Sequence, residues 1–247
     1  MRYDVCEVIL LSWRSRIACV LVFGLLLYFV GGCTPAYTPG FVDSEAADTS
    51  RVLVSVPPLS QYPAYPTGCE SVTAVMALRH AGISVDVEDF VENYLPRDDR
   101  FYEADGLLYG PDPYAVFIGD PRRTDSYGCM APVIEEAIGS LVGDEKVVVN
   151  TTGEDLSSLC RDYVDNGVPV MLWATMEMRP VGSGRRWFLP DGRQFIWPAG
   201  EHCLLLVGYN DTEYLFNDPR HVATVAYDKY AVEVAYASLG KQSLVVQ

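Results

Sequence analysis

Basic side chains are scarce in this chain. Its 247 residues hold 18 Lys and Arg against 33 Asp and Glu, a formal net charge of -15 at pH 7. Nucleic-acid binding draws on a basic surface that displaces phosphate counterions, so that class of partner is excluded. The acidity itself serves solubility. Histidine is scarcer still, and imidazole chemistry can fall only on His80, His202 or His221. None of the seven cysteines belongs to a C-x-x-C pair, which argues against a cysteine-rich structural zinc site. No internal repeat occurs, which argues against solenoid and propeller architectures. The longest uninterrupted apolar run, residues 17–30, has 14 residues. That is short of the about 20 a helix needs to span a bilayer.

The run suits an export signal instead. Arg14 and Arg16 precede it, and it ends in Val30-Gly31-Gly32-Cys33. This tetrapeptide is similar to a bacterial lipobox: an aliphatic residue, two small ones, then the cysteine that receives diacylglycerol. The 16 residues before the run are long for a signal peptide and leave room for a start downstream of Met1. Residues 1–32 are expected to be a signal peptide and Cys33 the lipidation site. Residues 33–51 are small, polar and acidic and lack periodicity, so they read as the lipidated cysteine and a flexible tether. The expected location is the extracytoplasmic face of a bacterial membrane, lipid-anchored. Four thiols then remain, at Cys69, Cys129, Cys160 and Cys203. An oxidising exterior allows a pair among them, but four scattered cysteines are no disulfide framework.

Residues 52–247 can bury one core and form the expected domain. Val52 to Val56 alternates like a strand. From Cys69 to about Ala81 apolar residues recur at helical spacing, with Thr67 available as N-cap. Asp86 caps a second helix that Pro96 ends. Residues 97–127, rich in Asp, Gly, Pro and Tyr, read as a long loop, and loops of that length are often functional, which makes this a candidate substrate-binding segment. Helices are expected from Pro132 to Leu141 and from Leu156 to Val164, the second closed by Gly167, with a strand at residues 147–149 between them. The pattern then turns to strands at 168–175, 186–189, 194–197, 202–209 and 214–217, with Pro190-Asp191-Gly192 turning the chain between the second and third. A last helix spans 228–239. Helices first and an antiparallel sheet second make an α+β domain with Cys69 at the junction.

The chemistry gathers around that junction. Cys69 opens an apolar helix, Gly68 before it permits a tight approach, and Gln61 lies eight residues earlier. Only a thiolate attacks well, and a helix N-terminus and a neighbouring imidazolium both favour it. His202 follows 133 residues later at the head of a strand, and Asn217-Asp218-Pro219 ends the next one. This is the order and spacing of a papain-like nucleophile, base and orienting residue. His202 is placed to take the thiol proton and return it to the leaving amine. Asn217 and Asp218 both qualify as the group that fixes the imidazole, because adjacent strand residues face opposite ways. Gln61 is the natural oxyanion donor. His80 reads as structural at a helix end, and His221 as an exposed loop residue.

These residues carry a family resemblance. Gln61 with Tyr65-Pro-Thr-Gly-Cys69-Glu-Ser-Val, Tyr127-Gly-Cys-Met-Ala-Pro-Val-Ile134, Trp173-Ala-Thr175, Glu201-His202 through Gly208-Tyr209, and Asn217-Asp218-Pro219 resemble the stand-alone branch of the bacteriocin-processing cysteine peptidases. The transporter-borne branch of that family cleaves after double-glycine leader peptides. The resemblance covers residues 52 to 240. It implies a papain-like fold with N-terminal helices packed on a C-terminal antiparallel sheet. It implies Cys69 as nucleophile, His202 as base, Asp218 as orienting residue and Gln61 in the oxyanion hole. It brings a peptide or protein substrate and no cofactor or metal. The chain departs from the transporter-borne branch in carrying no nucleotide-binding domain and in setting Gln61 farther from the cysteine. A catalytically idle binding lipoprotein that retains the fold is the alternative, against which the presence of all four residues argues.

Overall fold

The computed structural model describes residues 40–41, 52–144 and 146–247. The expected signal peptide, Cys33 and most of the expected tether lie outside them. Within the expected tether, Gly40–Phe41 forms a short strand, β1, laid antiparallel on residues 225–226. The described residues form an α+β structure, as the pattern of helices and strands predicted.

Helix α1, Cys69–His80, organises the centre, with every residue from Cys69 to Leu78 buried. Apart from Glu70 and the terminal Arg79 and His80, its side chains are apolar or small on all sides, which is the pattern of an interior helix and not of a surface one. Helix α2, Val87–Asn93, begins at Asp86, whose carboxylate accepts the Asp89 N–H at 2.8 Å, and packs on α1. Helix α3, Ala131–Val142, with Pro132 in its first turn, packs on α1 as well. Helix α4, Leu156–Asp162, runs into a short 3-10 turn that Gly167 closes in the left-handed region. Helix α5, Lys229–Ser238, starts at Asp228, which accepts the Ala231 N–H.

The main sheet is antiparallel throughout. It joins β2 (Val52–Leu53), β7 (Val148–Asn150), β8 (Val170–Thr175), β11 (Glu201–Tyr209), β12 (Glu213–Asn217), β13 (Thr224–Asp228) and β14 (Ser243–Val246) to β1. The order is β1-β13-β12-β11-β8-β14-β7, with β2 also on β11. Strand β11 is buried from Glu201 to Gly208, the continuous burial of a central strand lying under a helix. Gly208 is required there, because a side chain at its Cα would stand 2.2 Å from the Val52 carbonyl oxygen of β2.

A second layer was not anticipated. Residues 97–127 are no bare loop but carry β3 (Arg97–Asp98), β4 (Tyr102–Ala104), β5 (Leu107–Tyr109) and β6 (Phe117–Ile118). Strands β3 and β6 pair parallel. Strand β4 turns into β5 through Asp105-Gly106, both at positive φ, the geometry of a tight two-residue hairpin. Strand β5 then joins β9 (Gly182–Phe188), and β9 pairs with β10 (Gln194–Ala199), giving a four-stranded sheet β10-β9-β5-β4. The two strands read as continuing the main sheet, near residues 186–189 and 194–197, therefore belong to this separate one. Trp187 ties it inward, donating its indole N–H to the Pro111 carbonyl.

Candidate active site

The start of α1 is set by packing. Gly68 is its N-cap residue, and no side chain caps the helix there. The expected cap, Thr67, instead donates its hydroxyl to the Arg123 carbonyl at 2.9 Å. A Cβ on Gly68 would lie 2.9 Å from Cβ of Pro121 and 3.0 Å from Cβ of Tyr65, so only glycine lets residues 120–123 close on the helix start. Cys69 follows immediately, at 7% exposure, with its sulfur at one wall of a cleft.

His202 is the second residue of β11, opposite Ala174 of β8. Its Nε2 lies 2.8 Å from Asp218 Oδ1. Asp218 stands one residue beyond β12 and is wholly buried. The Arg220 backbone N–H donates to Oδ1 and the Tyr227 hydroxyl to Oδ2, each at 2.8 Å. Burial acts to raise the Asp218 carboxyl, but the His202 ring and these donors outweigh it and hold it below the usual carboxylate range. Asn217 faces the other way: its amide donates to the Val56 carbonyl and its oxygen accepts from the Thr224 hydroxyl, both at 2.8 Å. The Asn217/Asp218 alternative is thus decided by strand alternation, with Asp218 on the imidazole. With Nε2 engaged, Nδ1 is the free ring nitrogen.

Gln61 is buried at the same place. Its backbone N–H donates to the Pro219 carbonyl at 2.8 Å, which ties it to the Asp218 loop. Its Nε2 donates one hydrogen to the Pro66 carbonyl at 2.8 Å, and its Oε1 makes no hydrogen bond among the described residues. Cys69, His202 and Gln61 all line one cleft of about 410 Å³. Tyr127 and Trp197, 5.4 Å apart edge to face, form an aromatic wall, and Arg185, Met176 and Arg220 complete the mouth. Ser126 and Tyr127 bring the end of the 97–127 segment to this cleft.

His80 and His221 lie apart from this group. The His80 ring meets the Gly167 carbonyl at 2.8 Å near the end of α1, in keeping with a structural role. His221 is half-buried and not exposed, because its backbone N–H turns back onto the Asp218 carbonyl. Cys69, Cys129, Cys160 and Cys203 are free and buried.

Two carboxylates were missed by sequence reasoning. Glu70 is fully buried directly behind Cys69; the thiol donates to its Oε2 at 3.2 Å and the Cys129 N–H to its Oε1 at 2.7 Å. Glu201, beside His202, is also buried. Each is the acidic neighbour of a candidate catalytic residue, which was the available signal. Their effect opposes the expected thiolate: burial first, then the charges of Glu70 and Glu201, push the Cys69 thiol well up. Burial likewise raises Glu70 to about 7. It raises Glu201 well above the ordinary carboxylate value, with the Glu70 charge adding to it.

Known proteins share this arrangement of chain. The model of the Peptidase_C39 like family matches residues 53–244. The uncharacterized protein YvpB of Bacillus subtilis (strain 168) is 28% identical over 180 residues, covering 73% of this chain and 69% of that protein. The crystal structure of a candidate C39-like peptidase from Bacillus anthracis superposes with a TM-score of 0.70 at 23% identity, covering 80% of this chain and 97% of the other. The last likeness concerns the fold.

Proposed function

Given that the chain belongs to the Peptidase_C39 like family, we propose that it is a cysteine peptidase working through a Cys-His-Asp acyl-enzyme. The observation that carries this reading is one cleft lined by Cys69, His202 and Gln61, with Asp218 holding the imidazole from behind. In it, His202 Nδ1 takes the Cys69 proton as sulfur bonds to the scissile carbonyl carbon. The same imidazolium then protonates the departing amine as the C–N bond breaks, and water cleaves the thioester. Asp218 keeps Nε2 protonated, leaving Nδ1 as the acceptor. The second hydrogen of Gln61 Nε2 is available to the oxyanion, since the first is given to Pro66. The substrate is an extended peptide that crosses the Tyr127–Trp197 wall.

The same proposal places the enzyme on the extracytoplasmic side of a bacterial membrane, anchored through Cys33. Support for this comes from the lipobox-like Val30-Gly31-Gly32-Cys33 and the apolar run before it. Incubating the full-length protein with a diverse peptide library, and reading cleavage by mass spectrometry, tests the activity. Cleavage by the wild type and none by Cys69→Ala supports the peptidase. Equal product from both, or none from either, removes it.

A further inference from the structure

A thiol and two carboxyl groups crowd the head of α1 in a way that peptide hydrolysis does not call for. The ligand atoms of Cys69, Glu70 and Glu201 all lie within 4.8 Å of one another, and all three residues are buried. Glu70 is held in place, since Cys129 N–H fixes Oε1 at 2.7 Å and leaves Oε2 turned to the thiol. Gly128 makes room for the pair, for a side chain there would stand 2.4 Å from Glu70 Oε1 and 3.2 Å from Glu201 Oε2. Glu201, more than nine-tenths buried, has an Oε1 with no hydrogen-bond partner among the described residues. A buried carboxyl oxygen without a hydrogen-bond partner is costly, and in native proteins it asks for an occupant. Cys69 and Glu201 both line the cleft, so an ion reaches the cluster from the substrate side.

We propose that Cys69, Glu70 and Glu201 form an inhibitory binding site for a thiophilic divalent cation, with Zn²⁺ as the type ion. The inference rests on the reading of Cys69 as the nucleophile. Sulfur selects against Mg²⁺ and Ca²⁺, which take oxygen ligands, and a mixed sulfur–carboxylate set suits Zn²⁺. Zn–S near 2.3 Å and Zn–O near 2.1 Å bring tetrahedral ligands to about 3.5 Å apart. Side-chain adjustment of about 1 Å from the observed spacing achieves this. On binding, the sulfur–metal bond forms and the thiol proton leaves to solvent, so the nucleophile's lone pair is occupied and the enzyme is held inactive until the ion is withdrawn. Thiolate and carboxyl groups thereby acquire a purpose: together they supply the negative charge that a cation needs in a buried place.

The test is a Zn²⁺ titration of the full-length chain in detergent against a competing chelating dye, with Co²⁺ as a spectroscopic substitute. One equivalent should bind, and Co²⁺ should give a near-ultraviolet sulfur-to-metal charge-transfer band. Cys69→Ser should abolish the band, and Glu201→Gln should weaken Zn²⁺ by at least about tenfold, since even groups behind the ligands are worth about 10–100-fold. Glu70→Gln is the second carboxylate variant should Glu201→Gln not fold, and Cys160→Ser, away from the cluster, should bind as the wild type does. No tight equivalent, or one that survives both Cys69→Ser and the carboxylate change, overturns the site. This readout needs no turnover, so an inactive protein that binds Zn²⁺ sinks the peptidase and not the site. An active peptidase indifferent to Zn²⁺ does the reverse.

Discussion

At the scale of single residues, the roles of Cys69, His202, Asp218 and Gln61 separate by how much each loss should cost. Cys69→Ala should abolish hydrolysis, because no other thiol among the described residues lines the cleft. His202→Ala should be nearly as damaging, since nucleophile and base act as one unit and their losses do not add. Asp218→Asn should be milder, because an amide oxygen still accepts the imidazole N–H. Gln61→Ala should lower kcat by about 10²-fold through weaker oxyanion binding. Steady-state kinetics on the four variants checks the order, and an Asp218→Asn loss equal to that of Cys69→Ala would contradict the positioning role. Asp218 also carries a stability signature. Its folded-state carboxyl titrates below the usual range, so its contribution is complete above the unfolded value near 4 and is lost as pH falls through the folded one. Urea unfolding at pH 7 should show Asp218→Asn less stable by on the order of 2 kcal/mol. That gap should narrow as pH is lowered from about 4 toward 2; a gap independent of pH would deny the charged pairing.

At the scale of elements, the site is built where three of them meet: the N-terminus of α1, the head of β11 and the end of β12. The 120–123 turn closes it from outside, and Gly68 is the hinge of that closure. Gly68→Ala keeps an allowed backbone, φ -103°, but drives its Cβ onto Pro121 and Tyr65, neither of which has a flexible end to yield. It should cost about 1–3 kcal/mol, as overpacking does, and should lower kcat with little change in far-ultraviolet circular dichroism. Unchanged thermal stability in this variant would show that the turn is not pressed on the helix. Much of this framework was legible in the chain. The helix cap at Asp86, the Pro132 start and the Gly167 close are local signals and act as read; the cap read at Thr67 does not. Strand alternation separated Asn217 from Asp218 in principle, but which face held the imidazole awaited the register of β11 on β12. The Asp105-Gly106 hairpin was there to be seen and was masked by the surrounding glycines and prolines. Strand β14 was not visible, because Ser243 and three apolar residues after a helix carry no period of their own. The buried Glu70 and Glu201 were legible only as neighbours of Cys69 and His202, for a physical reason: a charge at such a place reads as solvated until packing shows that it is not.

At the scale of the whole molecule, charge and anchoring pull in opposite directions. The chain is strongly acidic, with a net charge of -15, and removing residues 1–32 takes away three basic and two acidic side chains, which leaves the acidity in place. Bacterial surfaces rich in anionic lipid repel such a domain, so no electrostatic term holds it to the membrane. Among the described residues no helix is long and apolar enough to cross one. The proposed hold on a membrane is covalent lipid at Cys33. A single acyl chain binds only marginally, and stable retention needs the two or more that maturation of a lipidated cysteine supplies. Two results should follow in fractionated cells. The wild type should enter the detergent phase and stay with membranes in high salt, since salt screens charges and leaves hydrocarbon burial intact. Cys33→Ser should leave that phase or accumulate as a larger precursor, while its peptidase domain keeps the wild-type unfolding transition. Equal partitioning and equal mature size for the two forms would rule out the lipid anchor at Cys33, and release of the wild type by salt would show an ionic attachment that the charge of this chain does not support.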